Sequence, residues 1–232
     1  MPDQTPSARR TIRCIVRRNG RITGAQQRAL DELWPRFGIH FEPHVAQPAQ
    51  WFGRQAPCTL EIGFGNGEHL RRRAAAEPQR NFIGIEVHRS GVGHLLNEAG
   101  QLGLGNLRVL CHDAVEVLRA QLAPGCLDEV QILFPDPWPK ARHHKRRLIQ
   151  PGFVTLLAGA LRPGGMLHLA TDWAPYAEHM GEVLAASSQF AASLPDEGQP
   201  TEWVEARAPT RFESRGLRLG HAIADLYFRR TG

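Results

Sequence analysis

Cys58-Thr59-Leu60-Glu61-Ile62-Gly63-Phe64-Gly65-Asn66-Gly67 is a short apolar run that carries one acid and stops in three glycines spaced two apart. A run this short, ended this sharply, reads as a buried strand. The glycines read as a turn whose missing side chains let a ligand approach the backbone, and residues 67 to 76 continue as a helix. A dinucleotide site calls for G-x-G-x-x-G, with a pyrophosphate on the helix N-terminus. Here the spacing is G-x-G-x-G and an acid precedes it. Glu61 would repel a phosphate but suits a ligand with an ammonium group, such as the methionine end of S-adenosylmethionine.

Outward from this unit, short apolar runs alternate with longer amphipathic ones, the texture of an α/β chain with a parallel sheet. Strands are expected at residues 58–62, 81–87, 106–112, 127–134, 166–171 and 221–228. Helices are expected at 67–76, 90–102, 114–121, 149–161 and 174–187, with Pro163-Gly164-Gly165 as a turn before the fifth strand. Each of the first five strands has a carboxylate at or just past its C-terminal end: Glu61, Glu86, Asp113, Asp136 and Asp172. In an open parallel sheet those ends share one edge, where ligands bind at the reversal of strand order. A common acidic rim is the expectation. Glu86 is suited to accept hydrogen bonds from ribose hydroxyls, and Asp113 from an adenine amine.

The fourth strand runs into Phe134-Pro135-Asp136-Pro137-Trp138-Pro139, where alternating prolines hold a stiff turn that projects Asp136 and Trp138. A carboxylate there can accept from guanine N1–H and N2–H together, a donor pair adenine lacks. Whether Trp138 stacks on a base or packs inward stays open. Lys140, Arg142, Lys145, Arg146 and Arg147 follow with no acid among them, which suits a phosphate backbone, although such runs also occur as solvated surface. His143 and His144 have no carboxylate nearby in sequence, so no metal site is expected.

With 232 residues, 42% hydrophobic, the chain suits one globular domain rather than two. Its net charge of +5 permits a polyanionic partner without demanding one. Residues 1–56 read as a loosely ordered basic arm, with Arg9, Arg10, Arg13, Arg17, Arg18 and Arg21 near its start, and 57–232 as the folded domain. Cys14, Cys58, Cys111 and Cys126 form no C-x-x-C pair and read as buried free thiols. With no long apolar stretch and no signal-like start, a soluble cytoplasmic setting is expected.

Taken together, the residues at 61–67, 82–86, 134–147, 170–172 and 210–228 make the chain resemble bacterial tRNA (guanine-N7)-methyltransferases over about residues 57 to 230. Its most specific stretches are Pro135 to Arg147 and Thr210-Arg211-Phe212-Glu213 through His221. The resemblance implies a Rossmann-like class I methyltransferase fold with an antiparallel last strand, S-adenosyl-L-methionine as cofactor, and tRNA as partner, methylated at variable-loop position 46. It implies cofactor contacts at Glu61, Gly63, Gly65, Gly67, Glu86, Asp113, Ala114 and Asp136, with Asp136 also catalytic. Substrate contacts are implied at Lys140, Asp172, Thr210, Arg211, Phe212 and Glu213, and RNA contacts at Arg142, His143, His144, Lys145, Arg146 and Arg147. Two departures bear on phosphate contacts: Ala141 stands where the family is commonly basic, and Arg211 where Lys is common. Thr210 and Glu213 would reach the pocket only if the last strand lies inside the sheet. Alternatives are a methyltransferase on another nucleic acid or a small molecule, an idle RNA-binding protein and an NAD-type oxidoreductase. The acidic rim disfavours the idle RNA binder, the basic strip the small molecule, and the glycine spacing the oxidoreductase.

Overall fold

Alternation along β3 (Asn81–Ile85) shows how the sheet divides the core: Phe82 faces one side and Ile83 the other. A computed structural model describes residues 22–193 and 222–232. In it, β1 (Gly38–Ile39), β2 (Cys58–Ile62), β3, β4 (Leu107–Leu110), β5 (Leu127–Leu133), β6 (Leu161–Thr171), β7 (Phe190–Ser193) and β8 (Ala224–Arg230) form one eight-stranded sheet. The order is β1-β4-β3-β2-β5-β6-β8-β7, parallel except that β8 runs antiparallel to β6 and β7. Strand order reverses at β2, which has β3 on one side and β5 on the other, so the glycine turn after β2 opens at the switch point.

One face of the sheet shares a core with α6 (Ala114–Ala120), α7 (Pro151–Ala160) and α8 (Ala174–Ala185), through Leu60, Ile83, Val117, Leu157 and Tyr176. The other face shares one with α1 (Gly24–Glu32), α4 (Glu68–Ala76) and α5 (Arg89–Gln101), through Phe82, Leu30, Leu70 and Leu95. Near the N-terminal ends of the strands, Glu129 is buried and fully engaged. Its oxygens accept from Arg73 at 2.9 and 3.2 Å, from Thr59 at 3.0 Å and from Gln131 at 2.7 Å. Burial raises the Glu129 pKa, but the charges and hydrogen bonds of Arg73, with Arg80 and Thr59, lower it on balance below the ordinary value.

Residues 22–56 carry more regular structure than the expected loose arm. A capping box between Thr23 and Gln26 starts α1, which buries Ala29 and Leu30, and α2 (Trp34–Phe37) buries Phe37. β1 then extends the sheet beside β4, and α3 (Pro48–Phe52) follows. These few apolar side chains are enough to dock α1, α2 and β1 once β4 and α5 offer a surface. The arginines from Arg9 to Arg21 lie outside the described residues. Pro163-Gly164-Gly165 lies within β6 rather than before it, and the β5–β6 register shifts between Leu127 and Glu129 to accommodate the irregularity. Of the described thiols, Cys58 is buried while Cys111 and Cys126 are half-buried, all free; burial pushes the Cys126 thiol up to about 11.

Candidate active site

At the C-terminal edge of β2, β3 and β5 lies a cavity of about 680 Å³, walled by Gly63 and Gly65, Glu86, Ala114 and the Phe134–Pro139 turn; Gly67, expected as a cofactor contact, is buried against Leu95 and is not among the residues that wall it. Gly63, Gly65 and Gly67 all take left-handed φ, between 61° and 77°, which explains the alternate spacing of glycines. Helix α5 seals the turn from outside so closely that a Cβ on Gly91 would stand 2.0 Å from the Gly65 carbonyl oxygen. A backbone this exposed on the cavity side and this tight on the other is a cradle for a ligand.

Glu86, buried just past β3, holds the cradle's rim. One carboxylate oxygen accepts from the Gly65 N–H at 2.9 Å, the other from the Val87 and His88 N–H groups at 2.7 and 3.0 Å. A carboxylate has about four lone-pair sites, so roughly one remains for a ligand hydroxyl.

The expected acidic rim divides. Glu86 and Asp136 border the cavity, whereas Glu61, Asp113 and Asp172 are not among the residues that wall it. Glu61 is buried beneath the glycine turn and lies 2.9 Å from His69 Nδ1. Asp113 is the N-cap of α6, accepting from the Val115 N–H at 2.9 Å, and its neighbour Ala114 lines the cavity in its place. Asp172 is half-buried beyond β6. Strand ends mark where acids start; side-chain direction and helix capping then decide which of them face the ligand.

Asp136 is exposed, lines the cavity, and has no hydrogen-bond partner among the described residues. The turn that carries it is strained: Phe134 and Trp138 hold φ of 53° and 45°, conformations that cost on the order of 1–3 kcal/mol each for non-glycine residues. The Trp138 ring meets His143 edge-on at 5.8 Å, with the Arg146 guanidinium 5.0 Å from its centroid, so it packs within the turn while still lining the cavity.

A 3-10 turn at Ala141–Arg146 follows, with Lys140, Arg142 and Lys145 exposed. Desolvation, together with Arg146, Arg142, Lys140 and Lys145, lowers the His143 pKa. Arg147 departs from the RNA-facing reading: it is only 2% exposed, donating to the Pro137 carbonyl at 3.0 Å and lying 4.9 Å over the Tyr176 ring. One cation in a basic run can turn inward when a carbonyl and an aromatic face are waiting there, and a charge count does not reveal it.

Two lining residues, His88 and His112, had no role in the sequence reading. His112 is backed by Phe41, stacked at 3.9 Å and 8°, from the segment expected to be an arm. Adjacency to Glu86 and Asp113 was the available signal. Thr210, Arg211, Phe212 and Glu213 lie outside the described residues, although β8 does lie inside the sheet, between β6 and β7. Among the described residues no helix is long and apolar enough to cross a membrane, and no three metal-ligating side chains cluster.

A methyltransferase family model matches residues 55–226. A curated tRNA (guanine-N(7)-)-methyltransferase from Alkalilimnicola ehrlichii is 54% identical over 228 residues, covering 97% of this chain and 94% of that protein. One from Yersinia enterocolitica is 50% identical, covering 98% and 95%, and one from Sodalis glossinidius is 51% identical, covering 99% and 95%. Among solved structures, the 16S rRNA methyltransferase KamB aligns with a TM-score of 0.55 at 19% identity, over 79% of this chain and 92% of that one. An antibiotic-related methyltransferase aligns at 0.50 and 17%, over 80% and 92%. These two likenesses give the fold alone, the Rossmann-like class I methyltransferase fold, here with an antiparallel last strand.

Proposed function

Because the chain belongs to the tRNA (guanine-N7)-methyltransferase family, we propose that it methylates N7 of guanine in tRNA, at variable-loop position 46, using S-adenosylmethionine. The observation that carries this reading is that one cavity joins the glycine cradle and Glu86 to the carboxylate of Asp136, which has no partner among the described residues. Its volume suits a cofactor-sized ligand.

The cradle residues fit the cofactor chemically. Gly63 and Gly65 offer bare backbone, Glu86 keeps acceptor capacity for a ribose hydroxyl, and Ala114 offers an apolar wall. Glu61, buried below the turn, supplies negative charge beneath a cationic ligand without needing to line the cavity. The cofactor's contribution is an electrophilic methyl group. Asp136 accepts from guanine N1–H and N2–H, orienting N7, and its charge favours the cationic base that methylation produces. Exposed Lys140, Arg142 and Lys145, in the segment that follows the cavity-lining Phe134–Pro139 turn, are available to the phosphate backbone, and a cytoplasmic setting accords with the substrate.

Purified protein incubated with labelled S-adenosylmethionine and bulk tRNA, followed by nucleoside analysis, tests this. N7-methylguanosine is the expected product, and chain cleavage at the modified base maps it to position 46. No N7-methylguanosine would overturn the activity; label elsewhere in the tRNA would overturn the position alone.

A further inference from the structure

The cations between Lys140 and Arg147 look equivalent in sequence and are not equivalent in space. Arg142 and Lys145 are exposed, while Arg147 is 2% exposed. The guanidinium of Arg147 is taken up by neighbouring protein groups. Its Nε donates to the Pro137 carbonyl at 3.0 Å, and Nη2 lies 3.1 Å from His144 Nε2. A guanidinium cannot accept, so His144 Nε2 does. The guanidinium centre sits 4.9 Å over the ring of Tyr176, which is wholly buried in α8 and whose hydroxyl accepts from the Ile149 N–H at 3.3 Å.

These contacts span two bodies. The Pro137 carbonyl belongs to the turn that carries Asp136 and Trp138, with φ of 45° at Trp138, and Tyr176 belongs to the core behind α7 and α8. We propose that Arg147 is a positioning residue for methyl transfer: it ties the Pro135–Pro139 turn to Tyr176, fixes Asp136 at the cavity, and contacts no tRNA phosphate. This rests on the methyltransferase reading above. A guanidinium suits the role because its planar fork can donate in two directions while stacking, which a lysine ammonium cannot do.

The test compares wild type, Arg147→Lys, Arg147→Gln and Arg142→Gln for kcat at saturating tRNA, tRNA Kd against salt, and thermal midpoint. Arg147→Lys keeps a charge and an apolar stem, so it is the variant that carries the test if Arg147→Gln does not fold. Its kcat should fall about tenfold or more, because a small misplacement of the turn suffices, with tRNA Kd within about twofold. Its salt dependence should match wild type, while Arg142→Gln, the reference for a phosphate contact, should lower the log-log slope by somewhat less than about one unit. An unchanged kcat in Arg147→Lys, or a slope lowered as in Arg142→Gln, overturns the proposal. A second measurement needs no variant: wild-type protein is treated with an arginine-specific dicarbonyl, with and without tRNA, and the adducts are mapped by mass spectrometry. Arg142 should react and be protected by tRNA, and Arg147 should stay unmodified in both samples. A reactive Arg147 that tRNA protects would overturn the proposal even where wild type makes no N7-methylguanosine, so the two readings fail separately.

Discussion

Glu129 within β5 and Asp136 just beyond its end are carboxylates in opposite circumstances. Glu129 is buried, with Arg73, Thr59 and Gln131 filling its acceptor sites. Asp136 is exposed at a cavity, on a strained turn, with no partner among the described residues. The difference teaches that satisfied charge marks cohesion, and unsatisfied charge on a rigid platform marks a place prepared for a ligand.

The comparison breaks first on stability. Glu129→Gln leaves the half-buried Arg73 beside a neutral side chain, and breaking a buried pair costs about 3–5 kcal/mol, nearer the lower end here because Arg73 is partly exposed and keeps Glu77. Urea unfolding should show that loss, while the folded fraction retains its methylation rate. Unchanged stability would mean that the network does no more than a surface ion pair.

Asp136→Ala should do the reverse. With no partner among the described residues to strand, its unfolding free energy should stay within about 0.5 kcal/mol of wild type. Its single-turnover rate should fall about 10²-fold or more, the scale of losing one aimed electrostatic contact, with tRNA binding kept by Arg142 and Lys145. A destabilised Asp136→Ala with a normal rate would invert the comparison.

Sequence made this contrast only half legible. β2 was readable to the residue, because a buried parallel strand ended by alternating glycines leaves little freedom. The Pro135–Pro139 turn was readable because proline fixes its own φ. The inward turn of Arg147 and the burial of Glu61 against His69 depend on contacts between elements remote in sequence or on side-chain direction. The docking of α1 had a local signal, the Thr23–Gln26 capping box, but composition rich in Arg, Gln and Pro masked it. Phe41 behind His112 had none, since their stacking joins distant parts of the chain.

Glu86 stands between the two extremes, three of its acceptor sites used and about one left, so its replacement should have a mixed effect. Glu86→Gln should weaken cofactor binding by about 1.5–3 kcal/mol in calorimetry, the worth of hydrogen bonds to a charged group, with tRNA affinity nearly unchanged. Normal cofactor affinity would make Glu86 a purely structural brace.

Acid sharpens the comparison more gently. Glu129 has a folded pKa below its ordinary 4.5, so the stability it contributes is fully present above about that pH and is lost as pH falls through the folded value. The urea midpoint of wild type should therefore decline below about pH 4.5 more steeply than that of Glu129→Gln. Parallel declines would assign the acid limb to other carboxylates.

The smallest expected effect concerns the methylation rate near neutrality. Guanine N7 presents an unshared electron pair and has no proton to lose before it attacks, so no general base is needed. Catalysis then comes mainly from alignment, worth up to roughly 7–11 kcal/mol, and on the proposed reading Asp136 is an orienting acceptor and carries no proton. His143 meets Trp138 edge-on, and desolvation and its cationic neighbours lower its pKa, which disfavours the charged ring. The transfer itself moves no proton. Single-turnover rates at saturating tRNA should therefore be nearly flat from about pH 6.5 to 8.5, without the bell shape of acid–base catalysis. His143→Asn should keep its rate within a few-fold and the same flat profile, because the ring contributes an edge contact to Trp138 and no proton transfer. A wild-type rate that follows one ionisation in this range, abolished in His143→Asn, would make His143 a general base and reduce Asp136 to a bystander at the same cavity.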